Sequence, residues 1–184
     1  RIGTSLKDWE LSKSPSRLAA NLSKSFMGAV VLGDGFFFEN SSEADETNVG
    51  RPTPIEVMEK LIKENPDNLH AIKPFIGGED ITKSTDIENK RFAIDFEGRT
   101  EDECRSRWPE LLKIVETKVK PDRDKLEGGY KNKWWLFGRN NKAGNLAIRG
   151  RERVLACAGG TAATKYFAPT FVPGGACYSQ TTCV

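Results

Sequence analysis

The sequence holds a single histidine, His70, and four scattered cysteines, Cys104, Cys157, Cys177 and Cys183, in 184 residues. No two cysteines make a CxxC pair and His70 is remote from all of them, so neither a zinc site nor a Cys–His nucleophile finds its usual spacing. The cysteines are expected as reduced thiols packed like small hydrophobes. No apolar run approaches the ~20 residues that span a bilayer. The polar start RIGTSLKDWELSKSPSR has no signal-peptide core and no methionine, so the expectation is an internal excerpt of a cytoplasmic protein, with no membrane partner. A phosphate-cradling loop is missing as well. Gly33-Asp34-Gly35 lacks a third glycine and runs into Phe36-Phe37-Phe38 rather than a helix start, and no cofactor is expected on these residues.

What is present fits one soluble domain. The chain is long enough to bury roughly two-thirds of its unfolded surface, with 38% hydrophobic and 29% charged residues. Its net charge of +2 conceals an asymmetry: residues 131 to 153, KNKWWLFGRNNKAGNLAIRGRER, carry seven Lys or Arg against Glu152 alone, and the remainder is therefore −4. Lys131, Lys133, Arg139, Lys142, Arg149 and Arg151 are candidate phosphate contacts. Asn140, Asn141 and Asn145 have the paired donor and acceptor that can read adenine edges. Trp134 and Trp135 are expected to anchor this segment in the core.

Along the chain, residues 15 to 24 suggest a short helix. FMGAVVLGDGFFF, residues 26 to 38, predicts two apolar strands joined by a hairpin at Gly33-Asp34-Gly35. The acidic run 39 to 50 predicts an exposed connection. Thr53-Pro54-Ile55-Glu56 predicts an N-cap, a first-turn proline and a capping-box Glu, with Ile55, Met58, Leu61 and Ile62 on one face and a stop at Asn65-Pro66. Residues 70 to 82 read as turn-rich, and RFAIDF, residues 91 to 96, as a half-buried strand. Thr100 and Glu103 repeat the capping-box pattern before a helix interrupted at Pro109 and ended by Pro121. After Arg153, Gly and Pro punctuate short strands. Strands, helices and strands again, without βαβ alternation, predict an α+β fold: a mixed or mostly antiparallel twisted sheet with two or three packed helices in a single domain.

The series SFMGAVVLGDGFFF, NPDNLHAIKPFIGGEDI, RFAIDF, WPELLKIVETKVKPDRDK, KNKWWLFGR, RERVLACAGGTAATKYFAPTFVP and YSQTTCV, in that order, resembles the target recognition region of MmeI-like and Eco57I-like (type IIG and IIL) restriction-modification enzymes. In that family an adenine-N6 DNA methyltransferase is followed by a DNA-reading domain. The resemblance spans residues 17 to 184. It implies that residues 1 to 14 link to an upstream domain and that 15 to 184 form a target recognition domain, cut short at its C-terminus. Its implied partners are double-stranded DNA and a methyltransferase domain of the same polypeptide. It places candidate base contacts at Thr161, Thr164, Lys165, Ser179, Gln180 and Thr181. The family's S-adenosylmethionine loop of FxGxG type, its NPP[FY] adenine pocket and any PD-(D/E)xK nuclease core are missing from these residues. Catalysis, S-adenosylmethionine binding and base flipping are thus expected in the parent enzyme, not in this stretch. Two rival readings are a protein–protein interaction domain that uses the Trp-containing basic segment and a metal-dependent nuclease built on clustered carboxylates.

Overall fold

The computed structural model describes residues 24–83, 91–159 and 168–184. The expected linker 1–14, the expected helix over 15–24 apart from Lys24, and Thr161, Thr164 and Lys165 lie outside the described residues. A 3-10 turn, Asp34–Phe36, leads into β1 (Phe37–Glu39); α1 (Ile55–Glu64), β2 (Ile72–Ile76), α2 (Gly78–Lys83) and β3 (Arg91–Ile94) follow. Five helical segments come next: α3 (Glu101–Arg107), α4 (Pro109–Lys118), α5 (Lys120–Arg123), α6 (Gly129–Asn132) and α7 (Lys142–Ile148). The chain then supplies β4 (Arg153–Ala158), β5 (Thr170–Pro173), β6 (Cys177–Tyr178) and β7 (Thr182–Cys183). The result is an α+β domain, as the element pattern predicts.

Two sheets carry it, ordered β1-β3-β2-β6 and β5-β4-β7. The first is antiparallel except at its last pair, where β6 runs parallel to β2 with Phe75 opposite Cys177 and Ile76 opposite Tyr178. The second is antiparallel throughout. The larger core lies against the first sheet and gathers Phe36, Phe38, Ile94, Phe96, Trp108, Leu111, Leu112 and Val115, all essentially without solvent contact. A smaller core of Ile76, Ile148, Ala156, Val172 and Tyr178 lies beneath the second sheet.

Local signals explain several elements. The Thr100 hydroxyl accepts from the Glu103 N–H while the Glu103 carboxylate accepts from the Thr100 N–H, closing the capping box that starts α3. Pro109 opens α4 at its first turn, where a missing N–H costs nothing, so the expected interruption is a break between two helices. Pro121 does not end the helical path, because it occupies the tolerated first turn of α5.

Three further expectations are corrected. Residues 26 to 38 form no hairpin: β1 pairs with β3, and the preceding apolar run makes single bridges to Cys183, Ser179 and Arg139. Gly28 permits this, since a Cβ there would sit 2.1 Å from the Ser179 carbonyl oxygen. Thr53 does not cap α1, whose cap position is Pro54 without a side-chain bond; its hydroxyl is taken by Lys118. The turn-rich stretch 70 to 82 contains β2 and α2. A proline argues against a strand, but β6 flanks β2 only at Phe75 and Ile76, which leaves Pro74 on an edge.

Lys118 is 1% exposed. Its ammonium donates to the carbonyls of Asp45, Arg51 (3.2 Å) and Pro52 (3.1 Å) and to the Thr53 hydroxyl (2.8 Å). Burial lowers its pKa, against the pull of Asp45 and Glu46. The acidic connection is therefore tied to α4 rather than loose. Lys118→Met keeps the apolar stem and removes every donor, leaving buried carbonyls unpaired. Urea unfolding is expected to show a loss on the order of 2 to 4 kcal/mol, and a variant as stable as wild type would refute this role for the lysine.

Candidate nucleic-acid interface

The Ser179-Gln180-Thr181 turn connects β6 to β7 and therefore joins the two sheets. Its shape is fixed from within: the hydroxyls of Ser179 and Thr181 lie 2.6 Å apart, the Thr181 N–H donates to the Ser179 hydroxyl at 3.1 Å, and the Thr182 N–H to the Ser179 carbonyl at 2.9 Å. Behind it stands the start of α2. The Gly78 N–H donates to the Thr181 hydroxyl at 3.0 Å and the Gly77 N–H to the Asp80 carboxylate at 2.7 Å. Ser179 and Thr181 thus spend their hydroxyls on architecture. Gln180 is exposed at the apex, and among the described residues its amide has no hydrogen-bond partner.

Beside the turn opens a groove of about 510 Å³, walled by Ser179, Thr181, Gly77, Asp80, Phe75 and Arg91. Its carboxylates are partnered: Glu39 with the Arg91 Nε at 2.9 Å, and Glu79 with Lys83 at 2.9 Å. The Arg91 guanidinium also lies over the Phe37 ring, 5.0 Å from its centroid. The groove thus presents carboxylates, the Arg91 guanidinium and the Phe75 ring, with Gln180 on the adjoining turn able both to donate and to accept.

All six candidate phosphate residues are exposed, and they are not equivalent. Lys131 reaches the Asp124 carbonyl at 3.3 Å. Arg139 pairs through its backbone with Val30. Lys133 sits just beyond α6, Lys142 begins α7 and Arg151 follows Gly150. Arg149 lies 3.8 Å from the Glu97 carboxylate. The asparagines are taken up locally: Asn141 accepts from the Gly144 N–H to cap α7, and the Asn145 amide donates to Asn140.

The structure gathers around Arg149 a basic cleft that linear inspection missed. Lys73, Arg99, Arg107 and His70 line it, giving a cavity of about 420 Å³ with Glu97 as its carboxylate. Lys73 comes from β2, Arg99 from the turn after β3, Arg107 from the end of α3 and Arg149 from beyond α7. Only tertiary folding unites them. Glu97 is the hub: it contacts Lys73, lies 3.4 Å from Arg99, and takes a positive φ of 52° that non-glycine residues seldom adopt. The Asp95 carboxylate, accepting from the Glu97 N–H at 2.8 Å, holds that conformation. Burial pushes the Asp95 carboxyl up, with Lys73 opposing. Glu97 feels burial too, but Lys73, Arg99 and Arg149 outweigh it and hold its carboxyl below the usual range.

Trp134 is buried and Trp135 half-buried, its indole N–H donating to the Arg99 carbonyl at 2.9 Å. They anchor the segment, as expected, rather than project from it. Larger exposed apolar side chains stand on the second sheet instead, where Leu155 and Phe171 face each other in register at 53% and 59% exposure, with the Arg153 guanidinium 4.5 Å over the Phe171 ring. Among the described residues no three His, Cys, Asp or Glu side chains cluster so as to hold a metal ion, and no helix is long and apolar enough to cross a membrane.

No family model matches the chain, and no curated protein matches it. Among solved structures it is similar to part of MmeI, a type IIL restriction-modification enzyme determined in complex with DNA: TM-score 0.57, 16% identity, 91% of this chain covered. The chain spans only 19% of that enzyme's chain. At this identity the likeness is one of fold.

Glu97 loses its proton more readily in the folded than in the unfolded chain. Its ion pairs therefore stabilise fully above the ordinary value of 4.5 and are lost as pH falls through the lower folded value. Wild type is expected to exceed Glu97→Gln by ~1 kcal/mol at neutral pH, with the gap closing on acidification below the usual glutamate range. Urea titrations of both proteins at a series of pH values measure this. A gap that persists at the acid end would sink the assignment.

Proposed function

We propose that this chain is a sequence-reading, duplex-DNA-binding domain of a restriction-modification protein, positioning an adenine for an S-adenosylmethionine-dependent methyltransferase elsewhere in the same polypeptide. The observation that carries this reading is the relation between the two sites along β2. Lys73 belongs to the basic cleft, Phe75 to the groove beside the turn, and period-two alternation puts both on one strand face that Gly77 continues. Four residue steps at about 3.3 Å each separate Lys73 from Gly77 by about 13 Å, so a single strand carries both sites. In this reading the cleft seats backbone phosphate while Gln180 reaches a base edge. The likeness of fold to part of a DNA-bound restriction-modification enzyme supports it.

Division of labour follows from the chemistry. Lys73, Arg99, Arg107 and Arg149 supply attraction that is indifferent to sequence and weakens with salt. Gln180 offers the bidentate donor–acceptor pair suited to adenine N6 and N7, worth roughly 1 to 3 kcal/mol of discrimination. Methyl transfer, and cleavage if the parent protein cleaves, belong to other parts of that protein. In this reading the exposed candidates Lys131, Lys133, Arg139, Lys142 and Arg151 add further phosphate contacts outside the cleft.

The test is a salt-titrated binding series with a pool of randomised duplexes, followed by sequencing of the bound fraction. Wild type is expected to bind with a log–log salt dependence and to enrich a short motif containing adenine. Arg149→Glu should lower the salt slope by about one or more without altering the motif. Glu97→Gln, which unburdens the cleft of its carboxylate, should strengthen binding. Gln180→Ala should relax one position of the motif. Salt-insensitive binding, or none by the full-length protein, would overturn the reading.

A further inference from the structure

Two of the four cysteines are brought face to face. Cys157 of β4 and Cys183 of β7 are direct register partners in an antiparallel ladder, and the Gly159 N–H bonds the Thr181 carbonyl two residues further along at 2.7 Å. Opposed residues in such a ladder lie about 4.5 to 5.5 Å apart at Cα, within the roughly 4.4 to 6.8 Å that a disulfide bridges. As direct register partners, their side chains leave the same face of the sheet. Both are half-buried rather than sealed, whereas Cys104 and Cys177 are buried among core side chains.

We propose that Cys157 and Cys183 form a dithiol modification site whose co-substrate is a low-molecular-weight disulfide, and that its product is a cross-strand disulfide clamping β7 to β4. The thiolate of one cysteine attacks a sulfur of the small disulfide, forming a mixed disulfide and expelling one small thiolate. The second protein thiolate then attacks the protein-side sulfur and expels the other. Two protons and two electrons leave the protein, and the small disulfide is reduced to two small thiols. The fold needs no rearrangement, because β7 is already held on its other side by Phe26, whose N–H and carbonyl pair with Val184 at 2.6 and 2.9 Å. The new bond closes residues 157 to 183 into a loop containing β5, β6 and the Ser179–Thr181 turn. Burial, and then the neighbouring Cys183 sulfur, keep the Cys157 thiol protonated above its ordinary value, so closure quickens toward alkaline pH.

The test incubates the whole chain with glutathione disulfide at mildly alkaline pH, counts thiols after denaturation and maps linked peptides. Accessible thiols are expected to fall from four to two, with one linked pair, Cys157 to Cys183, and a melting temperature raised by several degrees. Cys157→Ser and Cys183→Ser should each stop at a glutathione adduct on the remaining partner, and Cys104→Ser should behave as wild type. Retention of all four thiols, adducts without a cross-link in wild type, or linkage through Cys104 or Cys177 would each overturn the proposal. The readout is independent of DNA, so failure of the binding reading leaves this outcome unaffected.

Discussion

Parallel pairing of Cys177–Tyr178 alongside Phe75–Ile76 is the contact on which the arrangement turns. It adds β6 to the edge of the first sheet and delivers the chain directly into the Ser179–Thr181 turn, from which β7 enters the second sheet. The two cores meet along this line: Cys177 belongs to the larger and Tyr178 to the smaller. Gly28 secures the junction from the other side, because only a residue without a side chain lets the Ala29 N–H reach the Tyr178 carbonyl at 2.7 Å. Remove this two-residue ladder and the groove beside the turn loses a wall.

Charge in this chain divides into an inner and an outer set, and the two answer to different physics. Lys118 and Arg123 are buried and donate inward: Lys118 to three backbone carbonyls and the Thr53 hydroxyl, Arg123 through one nitrogen to the carbonyls of Leu32 and Leu136 at 3.0 and 3.2 Å. They hold loops to the core and meet no solvent. The outer set is clustered by folding around Glu97, whose carboxylate keeps neighbouring cations from repelling one another. Counting lysines and arginines along the sequence therefore overstates what the KPDRDK region can offer a polyanion and understates what Lys73 and Arg99 can.

Legibility in the sequence followed the range of the interaction. The Thr100–Glu103 capping box, the break at Pro109 and the anchoring of Trp134 are settled within a few residues or by one strongly apolar side chain, and each was readable. The hairpin expected around Gly33 failed because an apolar run without alternation does not name its partner; here the partners are Ser179, Cys183 and Arg139. Thr53 failed as a cap because a lysine 65 residues away claims its hydroxyl. The candidate site split the same way. The Ser179–Thr181 stretch was marked by the family resemblance, whereas the basic cleft draws on four separate segments, none of them distinctive alone. Small exposed Ser, Gln and Thr side chains also gave no hint that two would be structural and one outward-facing.

The bond from the Gly78 N–H to the Thr181 hydroxyl joins residues 103 positions apart. Contacts of such separation carry a large loop-closure cost and form late in folding. During synthesis β1, β2 and β3 can assemble while the residues that complete the groove are still being added. Until β6 arrives, the outer edge of β2 presents unpaired backbone groups at Phe75 and Ile76, a template that another unfinished chain can occupy. The last strands of this domain thus act as its own chaperone: they finish the groove beside the turn and, in the same step, cover the open edge of β2.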